Sequence, residues 1–422
     1  LMLAFFFSVC STSDAIIGKS LSTLFPISSV MGFLILGPML DIKNVYILKQ
    51  YIKKGYSQKN IFSFEILKET TLNYIESLRI GQQPWDYAYS YSSPYSSIYN
   101  STYVLMLRSM FLGPTAGLTI SERKNFAEYF LDFQDENSGY FIDRSLDDGE
   151  YIKQDNENYL WWGYGHCLLQ VLPCLMILGI QPKYKFNFLE KYYDLNFFDD
   201  FLHNLDFEDR VHYTGNILMN IGVALQYDAL ITNSLHSQTA LAFLKKFLLK
   251  KFNNKNIWGS LNKNTELERS INIQAAYHFW PLFFYQHDDI PISNELFDYL
   301  IQSQNSLGGF GIDAYHSSAC EDIDTIEPLA RFYHKMSSQY QEKTKEIFFK
   351  ALPWVFANQN KDGGFVFMRN RPLHYGHDHL SSKKNESAMF PTWFRILSLA
   401  HIMRTTGLKE NFYFCNCPGF LY

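Results

Sequence analysis

Two apolar patterns alternate along most of the chain. Segments such as "LAFLKKFLLK" (241–250) carry apolar residues at helical spacing with lysines opposite, which predicts helices with one solvent face. Between them lie runs that are apolar nearly all round: "STYVLMLRSMFLG" (101–113), "GYGHCLLQVLPCLMILG" (163–179), "GNILMNIGVALQYDAL" (215–230), "INIQAAYHFWPLFFY" (271–285), "DIDTIEPLARFY" (322–333) and "FPTWFRILSLAHI" (390–402). A helix with no polar face is covered on every side. Strand signals are few. The pattern predicts an all-α protein of about six outer–inner helix pairs.

Turns rich in glycine punctuate the pairs. "QDENSGYF" (134–141), "KNIWGSL" (255–261), "QNSLGGFG" (304–311) and "NQNKDGGFVF" (358–367) each separate an amphipathic segment from an apolar one, and Gly259, Gly309 and Gly364 lie 50 and 55 residues apart. "GQQPWDYAYS" (81–90) reads as a degenerate first copy, and a further copy is expected near "NLDFEDRVHY" (204–213). A repeat of this length means stacked supersecondary units. An open α-solenoid would bury the same core. The inner segments are too apolar to line a wet concave face, which favours a closed α/α toroid with a central cavity.

Composition narrows the function classes. The 422 residues carry a net charge of −5 and no long basic block, which argues against nucleic-acid binding. Apolar residues make up 47%, enough for a large core, and aromatic residues 17%, which suits a cavity with aromatic walls as well as it suits an aromatic core. The six cysteines show neither a disulfide framework nor paired zinc spacing, so a reducing compartment is expected.

Residues 1–54 differ in texture from the rest. Two apolar stretches, "LMLAFFFSVC" and 27–40, are each near the lower limit for crossing a bilayer. "FFFSVCSTSDAIIGKSL" followed by "VMGFLILGPMLDIKNVYILKQYIKK" resembles the C-terminal part of a bacterial family of membrane permeases. The piece is too short to transport anything, and Asp14 and Asp41 would need a helix bundle around them in lipid. The expected organisation is a permease-like, membrane-type helical segment (1–54), a linker (55–61), the toroid (62–410) and a tail (411–422). The toroid is expected in the cytoplasm or peripheral to the inner membrane, anchored if the N-terminal segment inserts.

In a toroid the inner helices start at one end of the cavity, and their N-termini carry partial positive charge and free N–H groups. Polar residues there converge: Trp162, Tyr164 and His166; His212, Tyr213 and Asn216; Arg269 and Gln274; Glu321, Asp322 and Asp324; Glu386 and Thr392. Acids at helix starts also serve as caps, which is the plainer reading of Glu321. Asp322 and Asp324 lie two residues apart and do not share a face, so capping explains only one of them. "HYGHDH" (374–379) packs three histidines and Asp378 into one segment, read as a solvated loop because no cysteine or further carboxylate has fitting metal-ligand spacing.

Gly308-Gly309-Phe310, a loop of eleven residues, then Asp322-Ile323-Asp324-Thr325 resembles the squalene–hopene type triterpene cyclases, within the superfamily that includes protein prenyltransferases. "GGFVF…NESAMFPTWFRILSLA" is similar to that family's last repeat. The resemblance implies an α/α toroid in which Asp324 is the proton donor and Asp322 its neighbour, with Glu321 or Glu386 completing the acid cluster. It implies carbocations shielded by aromatic faces such as Trp162, Trp280, Phe310 and Trp393. Thr325 stands where the family has a third acid. No metal or cofactor is expected, since Cys320 is misplaced for a prenyltransferase zinc site and no aspartate-rich diphosphate motif is present.

Two other chemistries fit the same shape. His212, Tyr213, Asn216 and Arg269 would serve a polysaccharide lyase, with Tyr or His abstracting a proton while Asn and Arg neutralise the substrate acid. Asp324 with Glu386 would suit a glycosidase. The expected partner is thus a small isoprenoid or a sugar, and a toroid that binds without catalysis remains the third alternative.

Overall fold

A computed structural model describes residues 63–146, 163–312, 317–415 and 417–419. Among these, the regular secondary structure is almost entirely helical, with a single two-stranded ribbon, β1 (Leu373–His374) against β2 (Ser381–Ser382). The chain divides at Ser63/Phe64 into two units, and all the described helices lie in the second. The permease-like segment, the linker and Trp162 lie outside the described residues.

Twelve of the thirteen described α-helices alternate between two layers, and the short thirteenth, Pro281–Phe284, follows directly on an inner one. The outer ones are α1 (Phe64–Ser77), α3 (Ile120–Asp132), α5 (Leu195–His203), α7 (Leu235–Lys250), α9 (Asn294–Ile301) and α11 (Ser338–Ala357). The inner ones are α2 (Ile98–Leu112), α4 (Gly163–Leu178), α6 (Val211–Ile231), α8 (Glu266–Phe279), α10 (Ala319–Phe332) and α12 (Met389–Thr406). The burial pattern follows the sequence pattern. In α12 every residue from Met389 to Met403 is buried. In α11 only Thr344, Phe348, Ala351, Leu352 and Val355 are, a stripe at helical spacing. Covering a Phe or Leu of that stripe contributes about 1.5–3 kcal/mol.

Each inner helix packs on the next, from α2 through α4, α6, α8 and α10 to α12, and α12 returns to α2. The ring is therefore closed. The turns explain how. Gln134, Gln304 and Gln359 each end an outer segment and donate from Nε2 to the carbonyl of Gly139, Gly308 and Gly363, at 3.1, 3.0 and 3.0 Å. Those three glycines have φ of 84°, 102° and 93°. A Cβ there would lie 2.1 Å from the Lys185 carbonyl oxygen, 2.3 Å from that of Lys350, and 2.1 Å from that of Thr70. The first two oxygens belong to the repeat that follows. The third belongs to α1, so the last turn docks on the first outer helix and locks the ring. Only glycine permits both the left-handed backbone and this approach.

Caps fix the helix starts. Ser318 and Glu321 form a reciprocal capping box at α10, and Thr119 and Glu122 form another at α3. No helix of the described residues is long and apolar enough to cross a membrane.

Candidate active site at the mouth of the ring

Contacts between inner helices that are not neighbours define the axis. Tyr277 of α8 meets Phe394 of α12 edge-on at 6.5 Å. Around Phe394 lie Phe390 and Trp393, and Tyr103 of α2 contacts both of the latter at 5.8 and 5.6 Å. The axis is filled with aromatic rings at this level. Trp393 takes part in this filling. Trp280 does not, since it packs against Trp258, Phe284 and Phe332 in the core behind the inner ring.

Three histidines border the aromatic fill. His166 Nδ1 lies 3.1 Å from the Tyr99 hydroxyl and Nε2 3.4 Å from the Tyr375 hydroxyl. His212 and His278 meet edge to face at 5.3 Å, and His278 Nδ1 is 2.6 Å from the Gln274 carbonyl, to which it donates. Burial holds all three below the ordinary imidazole value: His166 falls to about 3, His212 is lowered, and His278, also facing His212, lies well below. All three are neutral at pH 7. The unfolded chain takes up protons below about 6.5 that the folded chain refuses, so this contribution to stability is complete above that pH. It is lost as the medium is acidified, for His166 down to about pH 3.

Beside them, His212, Tyr213, His278 and Tyr375 are half-buried and reach solvent. Asn216 donates to the His212 carbonyl at 3.0 Å and fixes the first turn of α6. The exposed Arg210 guanidinium lies 4.1 Å above the Tyr213 ring. The segment 374–379, expected as a solvated loop, is largely the connection between the two strands of the ribbon; His374 and Asp378 are exposed, while Tyr375 stacks on Phe390 at 4.2 Å. His377 is buried and accepts from the His379 amide, while His374 pairs with Asp378 at 3.2 Å. Among the described residues no group of three His, Cys, Asp or Glu is placed to hold a metal ion.

The four acids do not converge. Asp322 points away from the axis: its oxygens accept from the Phe310 amide at 2.8 Å, from Trp354 Nε1 at 2.9 Å, and from the fully buried guanidinium of Arg395. Every one of these contacts holds the turn, α11 and α12 together, which leaves Asp322 a structural anion. Glu321 accepts from the Ser318 amide as a cap, and Ser270 Oγ lies 3.4 Å from its other oxygen. Glu386 accepts from the amides of Ser92 at 2.7 Å and Lys383 at 2.6 Å, and ties two loops together. Phe310 is buried beside Asp322 and borders a pocket away from the axis.

Asp324 is different. It shares a helix face with Cys320 and Glu327, is 2% exposed, and has no hydrogen-bond or ion-pair partner among the described residues. Burial first, then Glu321, Glu327 and Asp322, push its carboxyl well above the usual range. The sign of the linkage follows. Above about 3.8 the unfolded carboxyl ionises while the folded one stays protonated, so Asp324 costs stability increasingly as pH rises. Asp324→Asn is expected to raise the melting temperature at pH 7 and to leave it nearly unchanged at pH 3. Equal melting at both would contradict the burial.

Arg269, expected to join His212, Tyr213 and Asn216, lies elsewhere. It borders a pocket of about 230 Å³ between α8, α10 and the end of α9, and no residue of the histidine cluster lines that pocket.

No family model matches the chain. Over 56 residues it is 47% identical to a subunit of a two-component membrane permease complex from Streptococcus mutans, covering 13% of this chain and 19% of that protein. Over 54 residues it is 43% identical to the UPF0718 protein YcgR of Bacillus subtilis, covering 13% and 18%. Both matches concern the N-terminal piece, and the chain spans less than a fifth of these relatives' length. Among solved structures, a polysaccharide lyase aligns with 81% of this chain and 98% of its own, at 11% identity and a TM-score of 0.44. The terpenoid-cyclase resemblance of 308–325 finds no support in these comparisons.

Proposed function

We propose that the toroid cleaves an acidic polysaccharide by β-elimination at the mouth of the ring. The observation that carries this reading is the histidine cluster held neutral by burial, with His166 against the Tyr99 and Tyr375 hydroxyls and His212 against His278 at the opening. Elimination at pH 7 needs a base that is unprotonated and an acid that is not, and imidazole with phenol supplies both. His212 takes the proton from the carbon bearing the sugar carboxylate. The electron pair forms a double bond to the neighbouring carbon as its bond to the glycosidic oxygen breaks. Tyr213 gives its hydroxyl proton to that oxygen, and solvent returns a proton from His212 to the tyrosinate. Asn216, Arg210 and the N-terminus of α6 face the carboxylate, whose negative charge grows as the proton leaves.

The pH profile tests the assignment. Because burial lowers the His212 value, kcat/KM on a uronate polysaccharide should rise with pH along a limb below 6.5 and be flat at neutrality. A limb centred above 6.5 would contradict His212 as the base.

A second reading, acid-initiated cyclisation of a polyprenyl substrate, is favoured by one observation, the buried Asp324 carboxyl, which burial raises well above the usual range. Yet a carboxyl kept protonated by burial is a weak donor, because the anion it would leave is penalised. Alkene protonation asks for a strong one. Conversion of a linear polyprenol, abolished in Asp324→Asn, would favour this second reading over the first.

A further inference from the structure

The pocket beside the mouth contains an arginine that is under-used. Arg269 donates from Nη1 to the Gln302 carbonyl at 3.1 Å and lies 5.7 Å from the Tyr299 ring centre. Its Nε is buried without a hydrogen bond, and no acid stands within ion-pair distance of the guanidinium among the described residues. An arginine offers five N–H donors in a planar fork. Only one is spent here. Around it Ser270, Gln274, Gln302 and Thr325 offer amides and hydroxyls, Glu266 and Glu321 carboxylates, and Phe310 an apolar wall. Gln274 Nε2 donates to Ser270 Oγ at 2.9 Å, and Ser270 lies against Glu321, so these groups are already oriented.

We infer that this pocket is a binding subsite for a single sugar ring bearing a carboxylate, with the carboxylate on Arg269 and the ring hydroxyls toward Gln302, Thr325 and Glu321. The volume of about 230 Å³ admits one ring and not a chain. Fixed amides and a carboxylate oxygen suit hydroxyl donors, and Phe310 suits the apolar face of a pyranose. The guanidinium supplies the charge preference, since a charge-assisted pair is stronger than a neutral one. Gln274 of the lining accepts His278 Nδ1–H at its carbonyl, so the subsite adjoins the histidine cluster, with His278 one turn further along α8. It would hold the sugar next to the cleaved bond.

This inference deepens the lyase reading, and its test separates the two. Glucuronate and glucose are titrated into the full chain by calorimetry. Glucuronate should bind about tenfold to a hundredfold more tightly than glucose. Arg269→Gln should erase that preference, Arg269→Lys should keep part of it, and His212→Ala should leave it intact. All three variants should melt as the parent does. Equal affinity for the two sugars, or a preference that survives in Arg269→Gln, would overturn the subsite. Binding of glucuronate with no cleavage of any uronate polymer would leave the subsite standing and remove the elimination.

Discussion

Arg395→Met is expected to destabilise the fold by about 3–5 kcal/mol, because it strands the buried Asp322 carboxylate. Both side chains are fully buried. The guanidinium also donates from Nη2 to the carbonyls of Ser317 and Phe367, at 3.2 and 3.1 Å, so one side chain joins α12, the start of α10 and the last turn. Chemical denaturation should show a lower midpoint with an unchanged slope. Adding Asp322→Asn removes the stranded charge while keeping an acceptor for one of its two N–H donors, the Phe310 amide or Trp354 Nε1, and should restore part of the loss. If the double variant were no more stable than Arg395→Met, charge stranding would not be the cause.

His212→Ala and Tyr213→Phe should each lower kcat on a uronate polysaccharide by about 10²–10⁴-fold with the melting temperature little changed. His212 and Tyr213 are half-buried at the opening, so removing either leaves little cavity. The double variant should lose much less than the product of the two single losses, since base and acid serve one step. Full activity in either single variant would remove that residue from the chemistry.

Much of the architecture was legible before any coordinates. Helices buried on all sides declare themselves by lacking a polar face, and the glycine turns mark where one layer gives way to the other. The site was less legible, and the reason is directional. Glu321, Asp322 and Asp324 are neighbours in sequence, but successive helical residues point about 100° apart. One faces the Arg269 pocket, one the Trp354–Arg395 wedge and one the interior. Grouping them as one acid cluster treated sequence proximity as convergence. Arg395 was available as a signal: a lone cation within "FPTWFRILSLA" must find a buried anion or pay a large desolvation cost. Tyr375 and His278 gave less warning. Tyr375 reaches the mouth only through the folding-back of the 373–382 ribbon, and His278 sits at the end of an apolar run where a histidine is most often a satisfied core residue. Arg269 and His212 were grouped by their common place at helix starts, yet a wedge between helices and the axis are different places at the same height.

The most direct measurement of the central claim is product analysis after the full chain meets a uronate polysaccharide. The account predicts new chain ends that absorb in the ultraviolet as unsaturated uronates, with no matching gain of saturated ends, and their loss in His212→Ala. Saturated ends alone would mean hydrolysis, and intact polymer with cyclised polyprenol would mean the aromatic axis and Asp324 are the working site; either result contradicts elimination at the histidine mouth.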